Sequence, residues 1–234
     1  MMKTKKKTTT NNNKNKDKTK KERFTLNILK PGQRMTIFGM TQTGKTFLAD
    51  KLMKNLAKIM LIVVLDVKDE YDLPTLPFNK LKNKNSKGCY RINRIEYNDY
   101  EIKGFLSILE FLSENMFNRR NCFLVVDEIG RVVPKHGMLY DVAPNFGTYL
   151  LQGALRKCGL IAISQRPAQV HLSIPSESEH VLSFYVHGER DLLAIKNWFP
   201  IKSIQKLDEY EFMRFTVPRQ LITHYKYYKT KKID

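Results

Sequence analysis

Apolar and polar positions fall along the chain in blocks that predict strands joined by helices. A short apolar run over 35–38 is followed by Leu48, Leu52, Met53, Leu56, Ala57 and Met60 at helical spacing, and then by a second apolar run ending at Leu65. Phe105, Ile108, Leu109, Leu112 and Met116 mark another helical stripe, and Cys122–Val126 reads as a buried strand. Runs over 159–164 and 181–186 read the same way, with helices expected over 145–157 and 191–198. Continuous apolar strands separated by helices indicate a parallel sheet covered on both faces. The C-terminal pattern differs: residues 211–217 and 221–228 flank Pro218 and Gln220 as an antiparallel hairpin. A leading strand is expected over 24–30, a turn at Pro31 and Gly32, and irregular connections over 72–100 and 131–144.

Composition adds a boundary. Residues 1–21 hold nine lysines against one aspartate, in a background of Thr and Asn too polar to bury a core. A basic, disordered tail over 1–22 and a single domain over 23–234 follow as the expected organisation. The tail carries +8 of the total +18, leaving about +10 on the rest, a surplus that favours a polyanionic partner and nucleic acid first. Cys89, Cys122 and Cys158 are dispersed without metal-ligand spacing, which points away from a disulfide framework and towards a reducing compartment. The longest apolar run, 59–65, is too short to span a bilayer, so a soluble, cytoplasmic protein is expected.

The candidate chemistry begins where the first strand ends. Residues 39–46, GMTQTGKT, fit the phosphate-loop pattern: two glycines let successive backbone N–H groups turn inward towards a phosphate. Gly39, Thr41, Gln42, Thr43, Gly44, Lys45 and Thr46 are the candidate nucleotide-binding residues, with Lys45 reaching the β- and γ-phosphates and the Thr46 hydroxyl a ligand of Mg²⁺. The helix that follows adds its positive dipole end. About eighty residues later the 122–126 strand runs into Asp127 and Glu128, a pair suited to holding Mg²⁺ and polarising a water. Gln165 closes the next apolar strand, within reach of a γ-phosphate if that strand lies beside the first.

GMTQTGKT, LDVKDEY, FLVVDE, the Leu155-Arg156-Lys157 stretch and GLIAISQRP together resemble the FtsK/HerA superfamily of DNA-pumping ATPases, over roughly residues 33–170. Within it the compact size looks like the genome-packaging ATPases of viruses. The resemblance implies a RecA-like P-loop ATPase fold: a mostly parallel sheet flanked by helices, with the C-terminal hairpin at its edge. It implies ATP and Mg²⁺ as cofactors, Lys45 and Thr46 on the nucleotide, Asp127 on the metal, Glu128 as catalytic base and Gln165 as γ-phosphate sensor. Asp66 stands near the site. A ring motor of this kind, a hexamer in the family, takes an arginine from the neighbouring subunit. Arg156 is the leading candidate, with Arg119, Arg120 and Arg131 as competitors.

Lys135 and His136 sit where such motors carry a DNA-gripping loop, while Phe146 and Tyr149 read as core. Tyr225, Tyr227 and Tyr228 suit base stacking or an edge strand equally well. The expected partners are double-stranded DNA, further copies of the chain, and a capsid or other viral protein. Larger members carry membrane, winged-helix or barrel regions not read here, so the basic tail or another protein is expected to find the DNA. The function implied is an ATP-driven double-stranded DNA translocase. Its alternatives are an ATP-switched DNA-binding initiator or loader, a HerA-type DNA-processing translocase, and a kinase, against which the Asp127-Glu128 pair and Gln165 argue.

Overall fold

The computed structural model describes residues 22–23, 29–93, 102–217 and 220–226. Strands in chain order are β1 (Glu22–Arg23), β2 (Arg34–Phe38), β3 (Leu61–Asp66), β4 (Gly88–Asn93), β5 (Cys122–Val126), β6 (Cys158–Ser164), β7 (His180–Ser183), β8 (Glu211–Thr216) and β9 (Leu221–Lys226). They form one sheet in the order β1-β9-β8-β7-β2-β6-β5-β3-β4. From β7 to β4 every pairing is parallel, whereas β7–β8 and β8–β9 are antiparallel. This is the mostly parallel sheet with a C-terminal antiparallel edge that the resemblance implies.

Every residue of β3, β5 and β6 is buried, as continuous apolar runs between two helical layers require. The period of two along each strand divides the core. Ile37, Ile62, Val64, Val125 and Ile163 face Leu48, Leu52 and Met53 of the Lys45–Leu56 helix. Val63, Leu65, Leu124, Leu160 and Ala162 face Leu109 and Leu112 of the Ile102–Arg119 helix and Phe146 and Tyr149 of the Pro144–Gln152 helix. Phe146 and Tyr149 are therefore core. Neighbouring strands close tightly at Gly159 of β6, where a Cβ would stand 2.3 Å from the ring of its cross-strand partner Phe123 on β5.

The order places β6 between β2 and β5, with Phe38 level with Ser164 and Val126 level with Ala162. The carboxyl ends of the three strands therefore converge, which is where parallel α/β sheets bind ligands.

Some boundaries differ from those the pattern predicts. The 72–100 stretch contains a helix, Phe78–Lys82, and the edge strand β4, whose half-polar sequence GCYRIN pairs with β3 alone among the described strands and so needs no continuous apolar run. The 131–144 stretch overlaps two single-turn helices, Ile129–Val132 and Leu139–Val142. The helix expected over 145–157 ends at Gln152 and tightens into a 3₁₀ turn, Gly153–Arg156. Residues 24–28 of the leading strand, the hairpin tip at 218–219, Tyr227, Tyr228 and the basic tail at 1–21 lie outside the described residues. Among the described residues no helix is long and apolar enough to cross a membrane.

Candidate functional site

The loop after β2 is shaped by contacts that leave no room for side chains at its glycines. A Cβ at Gly39 would meet Phe184 Cβ at 2.6 Å, and one at Gly44 would meet the Tyr210 ring at 2.7 Å. Gly44 also takes a φ of 107°, and from it the Lys45–Leu56 helix starts. The loop is fastened to the sheet on both sides: Gly39 N donates to Ser164 O and Met40 N to Tyr185 O. Thr43 Oγ1 and Lys45 Nζ both donate to Met40 O, at 2.8 and 2.5 Å. The lysine is thus folded over the loop with its amine buried, and that burial lowers its pKa to about 8 although Glu128 and Asp127 lie nearby.

Asp127 and Glu128 follow directly on β5. Both are buried, at 2% and 4% exposure, and Glu128 turns the chain with a left-handed φ of 51°. Such a backbone is uncommon for a non-glycine residue. Burial pushes the Asp127 carboxyl up to about 7; Lys68 opposes the rise, and the carboxylates of Glu128, Glu70 and Asp66 add to it. Among the described residues its Oδ2 has no hydrogen-bond partner. A buried, unpartnered carboxylate oxygen crowded by other carboxylates fits a divalent cation, and Thr46 at the start of the helix supplies the hydroxyl. Thr46 Oγ1 donates to Glu70 Oε2 at 3.3 Å.

Gln165 is brought to the same place. Thr41 Oγ1 donates to its Oε1 at 3.0 Å, and its backbone N donates to Glu128 Oε2 at 3.3 Å. Phosphate loop, carboxylate pair and glutamine therefore meet at the ends of three neighbouring strands.

Asp66 lies near enough to Asp127 for its charge to raise that carboxyl. Its buried carboxylate accepts from Glu70 N and Tyr71 N at 3.1 and 3.0 Å and so builds the turn after β3. That turn delivers Lys68, whose Nζ donates to Glu128 Oε1 at 2.5 Å, and Glu70. Neither was singled out from the sequence; the signal was their place in LDVKDEY directly after an apolar strand. Tyr210 was also missed. It lies on the far side of the loop, its N donating to Thr43 O and its ring meeting Phe47 edge-on at 6.0 Å. With Gln42, Gly44, Lys45, Thr46, Phe47 and Glu209 it lines a hollow of about 310 Å³ beside the loop.

The remaining candidates lie apart from this cluster. Arg156 sits two residues before β6, at the opposite end of the strand from Gln165, with its guanidinium 4.0 Å above the Phe117 ring. Arg119 is buried and donates to four carbonyls, those of Lys84, Ser86, Arg120 and Asn121, so it is committed to the fold. Arg120 and Arg131 are exposed. Lys135 and His136 are exposed on the loop between the Ile129–Val132 and Leu139–Val142 helices. Lys135, Arg166 and Arg190 share a cleft of about 670 Å³ with Trp198 and Leu193.

The family model described as helicase HerA, central domain, matches residues 14–125, just under half of the chain. No curated protein sequence matches. Among solved structures, the genome packaging NTPase B204 from Sulfolobus turreted icosahedral virus 2, in complex with ATP-γS, superposes with a TM-score of 0.69 at 19% identity, over 86% of this chain and 100% of that one. VirB4 of Thermoanaerobacter pseudethanolicus matches with a TM-score of 0.66 at 11% identity, over 85% and 90% of the two chains. The pCW3 conjugation coupling protein TcpA, with ATPγS, gives 0.57 at 12%, over 83% and 60%. The family match and the structural matches support the resemblance to the FtsK/HerA superfamily, and the chain shares the fold of these proteins.

Proposed function

We propose that this chain is an ATP-hydrolysing double-stranded DNA translocase that works as a homo-oligomeric ring, a hexamer, and drives viral genome DNA into a capsid from the cytoplasm of the infected cell. The observation that carries the proposal is the convergence of Lys45, Asp127, Glu128 and Gln165 at adjacent strand ends. The near-complete overlap with a packaging NTPase supports the choice of cargo.

In this reading the loop amides from Gly39 to Thr46 cradle the phosphates, and Lys45 leaves Met40 O to neutralise charge on the β- and γ-phosphates. Thr46 and Asp127 would hold Mg²⁺, which would supply charge neutralisation on the phosphoryl oxygens. Glu128 takes a proton from the attacking water. Gln165, tied to Thr41, senses whether the γ-phosphate is present. Phe47 and Tyr210 wall the base side of the nucleotide. Arg156, at the opposite end of β6 from Gln165, serves a neighbouring copy in this reading, while Lys135 and His136 contact DNA phosphates with Arg166 and Arg190 lining a cleft with Lys135.

Glu128→Gln tests the chemistry: nucleotide should still bind, while turnover should fall by at least about a hundredfold. Unchanged turnover would remove Glu128 from the mechanism. The match to the HerA central domain favours a second reading, a HerA-type DNA-processing translocase with the same chemistry and a cellular or plasmid substrate. An ATP-switched initiator or loader is separated from both by slow hydrolysis with stable ATP-dependent DNA binding.

A further inference from the structure

Both oxygens of the Glu128 carboxylate are engaged. Oε1 accepts from Lys68 Nζ at 2.5 Å and Oε2 from the Gln165 amide at 3.3 Å. A carboxylate takes a proton from water only through an oxygen directed at that water. Glu128 is 4% exposed and the Lys68 side chain 19% exposed, so the pair is largely shielded from solvent.

Lys68 has a second acceptor within reach. Glu70 Oε1 lies 3.9 Å from its Nζ, while Glu70 Oε2 is occupied by the Thr46 hydroxyl at 3.3 Å. The Asp66 carboxylate pins the turn that carries both residues, so only the lysine side chain has to move. When Thr46 turns to a nucleotide-bound metal, Glu70 loses that donor and becomes the better partner for the amine.

We propose that Lys68 is a positioning residue that locks Glu128 out of action, and that its transfer from Glu128 to Glu70 on nucleotide binding releases the base. The proposal rests on the reading of Glu128 as general base. It places the control of hydrolysis in the LDVKDEY turn, outside the phosphate loop and the 122–128 strand end.

The test uses the full chain. Lys68→Gln should raise turnover measured without DNA by roughly fivefold, about 1 kcal/mol of barrier. Affinity for a non-hydrolysable ATP analogue should stay within about twofold, so the change falls on kcat and not on binding. Lys68→Arg should restore the low rate, and Lys68→Gln should gain nothing in a Glu128→Gln background. Glu70→Gln, which removes the receiving carboxylate, should slow turnover, giving opposite signs at two neighbouring residues.

Slower or unchanged turnover in Lys68→Gln, with Glu128→Gln inactive, overturns the lock and leaves the base reading intact. Normal turnover in Glu128→Gln overturns both. Should Lys68→Gln fail to fold, Glu70→Gln decides: slower turnover supports the lock, and equal or faster turnover contradicts it.

Discussion

The Thr41 hydroxyl donates to Gln165 Oε1 across 3.0 Å, tying the phosphate loop after β2 to the end of β6, 124 residues further along the chain. Because β2 and β6 are hydrogen-bonded neighbours, any shift of the loop would be carried to Gln165 and, through its backbone N, to Glu128.

If Gln165 senses the γ-phosphate, Gln165→Ala should lower turnover by about tenfold or more and erase most of the preference for ATP over ADP, while ADP affinity stays within about twofold. Titration calorimetry with ADP and a non-hydrolysable ATP analogue, alongside steady-state hydrolysis, checks this. An unaltered preference would make the Thr41–Gln165 contact purely structural.

Two perturbed groups give nucleotide binding a proton signature. Lys45, its pKa lowered to about 8 by burial, is partly neutral above that pH in the free protein. Phosphates favour its charged form, so binding near pH 9 should take up a proton. Asp127, raised to about 7 by burial, is mostly protonated near pH 6, and a metal ion favours its ionised form, so Mg²⁺–nucleotide binding there should release one. Calorimetry in buffers of different ionisation enthalpy reads both signs. Lys45→Met should abolish the uptake and Asp127→Asn the release.

A third titration concerns the fold. Arg34 grips Glu179 through Nη2 at 2.6 Å, through Nε at 3.3 Å and through its backbone N at 2.6 Å. Burial alone would raise the Glu179 carboxyl, but these hydrogen bonds outweigh it and hold it below the usual glutamate range. A depressed folded-state pKa contributes stability that is present above the unfolded value and lost as pH falls through the folded value. Glu179→Gln should therefore lower Tm at pH 7 by about 3 °C, and the difference should close on acidification below about pH 4. A Tm difference that persists into acid would mean that the pair's charge is not what stabilises.

The basic segment at 1–21 is expected to act through counterion release. Deleting it should leave thermal unfolding unchanged and weaken DNA binding most at low salt. Binding measured from about 50 to 200 mM salt should show a shallower slope for the shortened chain, and an unaltered slope would deny the tail any part in binding.

How far the sequence carries varies from element to element. β3, β5 and β6 were legible because parallel strands covered on both faces must be apolar throughout, and the loop because its spacing follows from phosphate geometry. β4 was not, since an edge strand buries only part of itself. Asp127, Glu128 and Gln165 stood out as polar residues closing apolar strands. Lys68 did not, because the contact that gives it meaning crosses 60 residues of sequence and depends on Asp66 fixing the turn. Tyr210 likewise reaches Gly44 only because the chain returns past the loop before β8. Charge on a surface loop such as Lys135 carries no sequence signal that separates a DNA contact from a solvated residue.

The measurement that tests the central claim most directly is ATP hydrolysis by the purified full chain with and without linear double-stranded DNA, beside a Lys45→Ala control. The account predicts that DNA stimulates hydrolysis several-fold and that Lys45→Ala abolishes it. ATP binding with hydrolysis indifferent to DNA would contradict a DNA-driven motor.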